Sequence, residues 1–201
     1  MCRTCIPILT SQRDSRPTEP PAAEASGADK DASRFPVRRI LGIDPGLASC
    51  GYGIIEVCRS RCRLVEYGVI ETSAGMSHAL RLLSIYKEIS RVVESFSPTE
   101  AGMEALYFAR NVSSALGVAE ARGVLSLCLA EHGILPAEYP PNTIKQAVSG
   151  TARAGKRSVQ EAVRLLLGLR EIPRPDHAAD ALAAAITHMH ACPLPVFSGG
   201  G

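Results

Sequence analysis

The chain has 201 residues, of which 46% are hydrophobic and 21% charged, and its formal net charge at pH 7 is +2. This composition is typical of a globular protein with one hydrophobic core, and it excludes a chain that is disordered throughout. No apolar run reaches the roughly eighteen residues of a membrane span, and no secretory signal is present, so the sequence predicts a cytoplasmic protein.

The first 36 residues differ in composition from the rest of the chain. Residues 11–33 are rich in proline, alanine, serine and charge, and they hold too little apolar surface to offset the entropy lost on ordering. We expect residues 1–36 to be a disordered tail, or an artefactual extension of a protein that begins at Val37. Residues 193–201 are expected to form a flexible C-terminal tail, which leaves residues 37–192 as one domain.

The first half of this domain predicts three strands, a helix and a fourth strand. Apolar segments separated by turns predict an antiparallel meander over residues 37–43, 51–57 and 63–71. Apolar residues spaced three and four apart then predict a helix over residues 77–96. Residues 100–106 contain a short central strand.

The second half predicts four helices and one more strand. A helix rich in small residues is expected over residues 112–131, followed by a strand over 135–139. Short helices are expected over 141–149 and 156–167, and a final alanine-rich helix over 177–190. The whole order is typical of the α/β class, with a mixed five-stranded sheet flanked by helices.

This order also predicts which polar residues meet. The fourth strand should run parallel to the first and beside it, so that both end at the same edge of the sheet. Asp44 follows the first strand and Glu104 follows the fourth, so we expect them to be neighbours. The final helix, laid across this edge, would bring Asp180 to them.

These positions are chemically unusual. Asp44 could serve only to start its Pro-Gly turn, but Glu104 interrupts an apolar stretch, where a carboxylate is costly unless it is paired or binds a metal. Asp180 is the only charge within residues 178–186, and His177 lies on the same helix face. Oxygen ligands without a thiolate favour a hard cation, Mg²⁺ or Mn²⁺.

Five motifs in order resemble the RuvC family of Holliday junction resolvases. They are Ile40–Gly46 with Gly51–Gly53, Glu104 with Tyr107–Asn111, Ala119–Gly123, Pro141–Val148, and Asp176–Ala183 with Ile186–His188. The resemblance implies the RNase H-like (retroviral integrase superfamily) fold and a homodimer that nicks four-way DNA junctions symmetrically, leaving 5′-phosphates. It further implies two divalent metal ions per active site, and RuvA and RuvB, the branch-migration proteins, as partners. We expect the dimer to form through the small-residue helix 112–131, where Ala115, Ala119 and Gly123 recur at four-residue intervals and would let two helices approach closely.

The resemblance also assigns roles to single residues. Asp44, Glu104 and Asp180 fall on three catalytic carboxylates of the family. The fourth position is Asp in many members and His177 here, and a neutral imidazole can bind a metal or act as a base. Asp176 is an alternative for that position, although its simpler role is to cap the N-terminus of the final helix.

Four further positions are expected to contact DNA. Tyr107 falls where the family places an aromatic residue near the opened junction centre, and stacking on a base contributes about 1–3 kcal/mol. Arg110 follows in the same expected loop. Lys145 and Lys156 fall on basic positions that meet the phosphate backbone and the active site.

Three other protein classes share parts of this pattern. Actin-like kinases and ATPases share the Gly-x-Asp-x-Gly opening but need a second phosphate loop and a second lobe, for which the chain is too short. YqgF-like nucleases of ribosomal RNA precursors lack the segment 107–123 and the final Asp-x-x-x-Asp helix. A non-catalytic junction-binding relative would not be expected to hold Asp44, Glu104 and Asp180 together.

Overall fold

The computed structural model describes residues 37–58, 61–106 and 112–192. Its strands are β1 (Arg38–Asp44), β2 (Ser49–Cys58), β3 (Arg61–Glu71), β4 (Glu100–Glu104) and β5 (Ala137–Tyr139). Its helices are α1 (His78–Phe96), α2 (Val112–Glu131), α3 (Pro141–Ser149), α4 (Lys156–Leu166) and α5 (Asp176–Ala191). The predicted order of elements is confirmed, with boundaries that differ by a few residues. The tails predicted at residues 1–36 and 193–201 lie outside the described residues and stay predictions.

The five strands form one mixed sheet in the order β3-β2-β1-β4-β5. β1, β2 and β3 pair antiparallel, whereas β4 runs parallel to β1 and β5 runs parallel to β4. Ile43 pairs with Met103, so the next residues, Asp44 and Glu104, lie side by side where both strands end. The predicted α/β sheet and the predicted neighbours are therefore confirmed.

Apolar side chains on the two faces of the sheet build two cores. On one face α1 and α2 cover Leu41, and α1 contributes Ile85 and Ile89, which project from the same side of the helix because they are four residues apart. On the other face α3, α4 and α5 cover Ile40, and α5 contributes Ile186. Full burial of each such side chain contributes about 1.5–3 kcal/mol. Within the described ranges, no helix is both long and apolar enough to cross a lipid bilayer.

Glycines let α5 lie directly on the backbone of the sheet. A Cβ atom added at Gly42 would overlap the carbonyl oxygen of Ala181 and lie 2.7 Å from the backbone nitrogen of Ala185. A Cβ atom added at Gly51 would overlap the carbonyl oxygen of His177. The other glycines that face this helix are Gly53 and Gly102. Backbone contact between helix and sheet thus sets where the N-terminal turns of α5 stand relative to the strand ends.

A buried polar network ties α5 to the opposite end of the sheet. Arg38 Nε and Nη2 donate to the two carboxylate oxygens of Glu100 at 2.6 and 2.5 Å. His188 Nε2 lies 3.0 Å from Glu100 Oε2, and its Nδ1 lies 2.9 Å from the Tyr139 hydroxyl. The hydrogen bonds from Arg38 hold the pKa of Glu100 below its usual value. The Glu100 carboxylate therefore links β4 to β1 and α5, and His188 extends the network to β5.

Replacing that carboxylate should destabilise the fold in a pH-dependent way. Glu100→Gln is expected to lower the free energy of unfolding by about 2–3 kcal/mol at pH 7, because it leaves the buried Arg38 without its anion. The lowered pKa of Glu100 adds stability that is present above its ordinary value of 4.5 and is lost as the pH falls through the lower folded value. Urea unfolding of both proteins from pH 7 downwards measures this effect. A difference in their free energies of unfolding that does not narrow below pH 4.5 would contradict the prediction.

Candidate active site

Four predicted side chains meet at the edge of the sheet where β1 and β4 end. Asp44 is the last residue of β1, Glu104 is the last residue of β4, and His177 and Asp180 lie in the first turns of α5. His177 Nδ1 lies 2.7 Å from Asp44 Oδ2. Ligand atoms of Asp44, His177 and Asp180 all lie within 4.8 Å of one another. Glu104 stands next to this converging group, through the strand pairing of β1 and β4.

The carboxyl groups perturb one another. Burial, together with the charges of Asp44 and Asp180, raises the pKa of Glu104 to about 7. Burial also raises the pKa of Asp44, although the hydrogen bond with His177 opposes the rise. The pKa of Asp180 is raised by burial and then by the charge of Asp44. Carboxylates this close repel one another unless a cation lies between them, so the donor set fits a hard divalent metal ion.

A cleft with lysines on its wall opens beside these acids. It has a volume of about 310 Å³, and its lining includes Glu104, Asp180, Lys145 and Lys156. Lys156 Nζ lies 3.1 Å from Asp176 Oδ2 and 3.6 Å from Asp180 Oδ2. Lys145 is close enough to Glu104 for its charge to oppose the rise in that pKa. The structure thus brings both predicted lysines to the predicted acids.

Asp176 does not have the role predicted for it. The N-cap position of α5 is Pro175, which forms no side-chain cap, and the helix begins at Asp176 itself. The Asp176 carboxylate instead accepts a hydrogen bond from Gln160 Nε2 at 3.0 Å and pairs with Lys156. The prediction of an N-cap is therefore wrong, because the chain turns into the helix one residue earlier. In the described part of the chain, the converging ligand group does not include Asp176.

Two predicted DNA-contact residues, Tyr107 and Arg110, lie outside the described residues. β4 ends at Glu104 and α2 begins at Val112, so both belong to the connection that follows the site in the sequence. Their roles stay predictions.

Arg122 of α2 is a site residue that the sequence motifs did not single out. Its Nη1 lies 3.5 Å from the main-chain oxygen of Glu104, and its Nη2 pairs with Glu138 of β5. It also lines a second part of the cleft, beside Asp44. A lone arginine among the small residues of Ala119–Gly123 is the available signal, because a charge in a packed helix needs a partner. Arg122 fixes the end of β4 and so the backbone from which Glu104 projects.

Comparisons with known sequences give one family. The family model for crossover junction endodeoxyribonuclease RuvC matches residues 40–188. The chain is 56% identical over 151 residues to the crossover junction endodeoxyribonuclease RuvC of Treponema denticola. That alignment covers 75% of this chain and 85% of the relative.

Solved structures agree with this family. The likeness to Thermus thermophilus RuvC, solved in complex with a Holliday junction substrate, has a TM-score of 0.72 at 36% identity and covers 75% of this chain and 92% of that one. The yeast mitochondrial Holliday junction resolvase has a TM-score of 0.57 at 17% identity, covers 77% and 79% of the two chains, and shares the fold. The predicted RNase H-like fold is confirmed by these likenesses. With the family model matching nearly the whole described domain, the chain belongs to the RuvC family of crossover junction endodeoxyribonucleases.

Proposed function

We propose that the protein is a structure-selective endonuclease that resolves four-way (Holliday) DNA junctions by symmetric, metal-dependent nicking during recombination and repair. The observation that carries the proposal is the convergence of Asp44, His177 and Asp180, with Glu104 beside them, at a lysine-lined cleft in a chain of the RuvC family. Hydrolysis of a phosphodiester needs an activated water and relief of the charge that builds on the phosphate, and such a site supplies both.

We propose Mg²⁺ as the cofactor, with Mn²⁺ as a substitute and two ions per active site. Asp44, Glu104, His177 and Asp180 would hold the ions, since hard cations take carboxylate oxygens and a neutral imidazole can bind a metal. Bound metal lowers the pKa of water and neutralises charge on the phosphate. The hydrogen bond to Asp44 fixes the ring of His177, which suits two roles, metal ligand or acceptor of a proton from water.

A synthetic four-way junction with labelled ends tests the function. We expect paired nicks on two opposite strands in Mg²⁺, with 5′-phosphate and 3′-hydroxyl ends, and no cutting of a linear duplex of the same sequence. With Ca²⁺ in place of Mg²⁺ the protein should bind the junction without cutting it. Equal cutting of junction and duplex, or none of either in Mg²⁺ and Mn²⁺, would contradict the proposal.

The lysines of the cleft should carry part of the binding to phosphates. Lys145→Ala is expected to weaken junction binding and to lower the slope of log K against log salt by about one, because one phosphate contact is lost. Fluorescence anisotropy in Ca²⁺ across a range of salt concentrations measures the slope. Lys87→Ala, at an exposed position of α1 across the sheet, is the matched control and should keep the parent slope. Parallel slopes for all three proteins would remove Lys145 from the binding surface.

The connection between β4 and α2 completes the proposed DNA surface. We propose that Tyr107 stacks on a base near the junction centre and that Arg110 contacts the DNA beside it. The support is their place in the family motif, directly after Glu104 in the sequence.

We propose that the protein acts as a homodimer, because two identical sites related by a two-fold axis would cut opposite strands symmetrically. We place the dimer contact on the outward face of α2. Leu116 and Leu127 are 61% and 58% exposed there, and Ala119 and Gly123 are exposed between them. Ala115, the first residue of the predicted small-residue contact, is instead buried in its own domain. Leu127→Glu should give a monomeric mass by light scattering at micromolar concentration, and a monomeric mass for the natural protein would contradict the dimer.

We propose partners and a location from the family to which the chain belongs. The resemblance to RuvC supports RuvA and RuvB as partners, and the bacterial origin of the relatives supports action in the cytoplasm. Retention of the protein by a purified RuvA–junction complex, but not by the junction-free proteins, is the expected result of a binding assay.

A further inference from the structure

Lys156 is held by two acids that have different surroundings. Its Nζ lies 3.1 Å from Asp176 Oδ2, which is a hydrogen bond, and 3.6 Å from Asp180 Oδ2, which is too long for one. Asp180 belongs to the converging ligand group, whereas Asp176 stands beside it. The ammonium therefore lies closer to the acid next to the candidate metal site, and forms only a longer ion pair with the acid within it.

Two side chains of α4 bind the two carboxylate oxygens of Asp176. Gln160 Nε2 donates to Asp176 Oδ1 at 3.0 Å, while Lys156 takes Oδ2. Lys156 and Gln160 are four residues apart, so they project from the same face of α4 one turn from each other. Gln160 is 9% exposed, which leaves its amide little freedom to turn away. With each oxygen bound to a different side chain, the Asp176 carboxylate is fixed in rotation.

We infer that Asp176 is a positioning residue for Lys156, holding the ammonium at the wall of the cleft and limiting its pairing with Asp180. The inference rests on the proposed nuclease function. Without the charge of Asp176, the carboxylate of Asp180 is the nearest anion in the described structure to which the ammonium can move. A lysine needed at the phosphate would then neutralise a carboxylate needed by a cation. Asp176 thus keeps two opposite charges of the same site from cancelling each other.

Cleavage kinetics test the role. Asp176→Asn is expected to slow single-turnover cleavage by roughly tenfold and to raise the Mg²⁺ concentration for half-maximal rate. Asp176→Glu, which keeps the charge, should recover most of the rate. In a Lys156→Ala background the same Asp176→Asn change should add less than about twofold, because the residue it positions is gone. An equal loss in both backgrounds would overturn the inference, since it would mean that Asp176 acts on the fold alone.

A second measurement needs no cleavage. The ¹H–¹⁵N signal of the Lys156 ammonium, assigned by its loss in Lys156→Arg, reports whether hydrogen bonds slow its exchange with water. We expect a sharp signal at one chemical shift in the natural protein and in Asp176→Glu. In Asp176→Asn the signal should move, because the ammonium changes its partner to Asp180, and it should be lost when Asp180→Asn is added. Gln160→Met, which loosens Asp176 without changing a charge, should move the signal in the same direction. An unchanged signal in Asp176→Asn would overturn the inference, whereas failure of the natural protein to cut junctions would overturn the proposed function by itself.

Discussion

Asp44→Asn, Glu104→Gln and Asp180→Asn are each expected to lose junction cleavage by at least about a thousandfold and still to bind the junction. A loss of that size corresponds to about 4 kcal/mol of transition-state stabilisation. The reason is that Asp44 and Asp180 belong to the only group in the described structure where ligand atoms of three such residues converge, and Glu104 stands beside that group. Binding should persist, because the phosphates are met by lysines and other basic side chains rather than by the acids.

Single-turnover cleavage in Mg²⁺ and anisotropy in Ca²⁺ separate the two effects. Glu94→Gln, which removes an exposed carboxylate of α1, is the matched control and should cut at the parent rate. Thermal unfolding without metal adds an independent readout: the three variants should be as stable as the parent or more stable, because each relieves repulsion among crowded carboxyl groups. Cleavage within about tenfold of the parent by any one variant would remove that residue from the site.

Gly42→Ala is the second change with a large expected effect. Alanine in place of glycine in a strand normally adds about 0.5–1 kcal/mol of stability, because the unfolded chain loses freedom. Here the new methyl group would overlap the carbonyl oxygen of Ala181 and crowd the backbone of Ala185, so α5 must shift. Overpacking of this kind costs about 3 kcal/mol. A shift of about 1 Å in α5 would also slow cleavage roughly a hundredfold, since it carries His177 and Asp180 out of place.

Gly75→Ala is the control for this prediction. A Cβ atom at Gly75 would have Ser73 Oγ at 3.6 Å as its neighbour, which is ordinary van der Waals contact. This variant should unfold and cut like the natural protein. Urea unfolding and single-turnover cleavage of both variants test whether stability and rate are lost in Gly42→Ala alone. A Gly42→Ala protein with parent stability and parent rate would mean that α5 can move without cost.

Much of the site was predictable because strand ends and charge placement are local signals. A carboxylate at the end of an apolar strand, such as Asp44, and one that interrupts an apolar stretch, such as Glu104, are visible in the sequence. The parallel pairing of β1 with β4 then made them neighbours. Asp180 followed because it is the single charge in an apolar helical segment.

The predictions that were wrong depended on contacts between distant residues. Asp176 looked like a cap because it follows proline, but its partners Lys156 and Gln160 lie on another helix. Ala115 has the four-residue spacing of an exposed small-residue face, yet its side of α2 is the one that packs against the domain. The sequence shows the glycines under α5, but their role in packing depends on which helix crosses the sheet at their positions. Spacing alone cannot supply that information.

The backbone contact between α5 and the sheet has a practical meaning for protein design. The acids and histidine could be copied onto another five-stranded sheet, but any side chain beneath the helix would lift it by several ångströms. The glycines of β1, β2 and β4 would have to be copied with them, in the same register, before the donor atoms could converge. To move this site to another protein, the glycine-lined backbone of the sheet and the helix packed on it would have to be transferred together with the charged side chains.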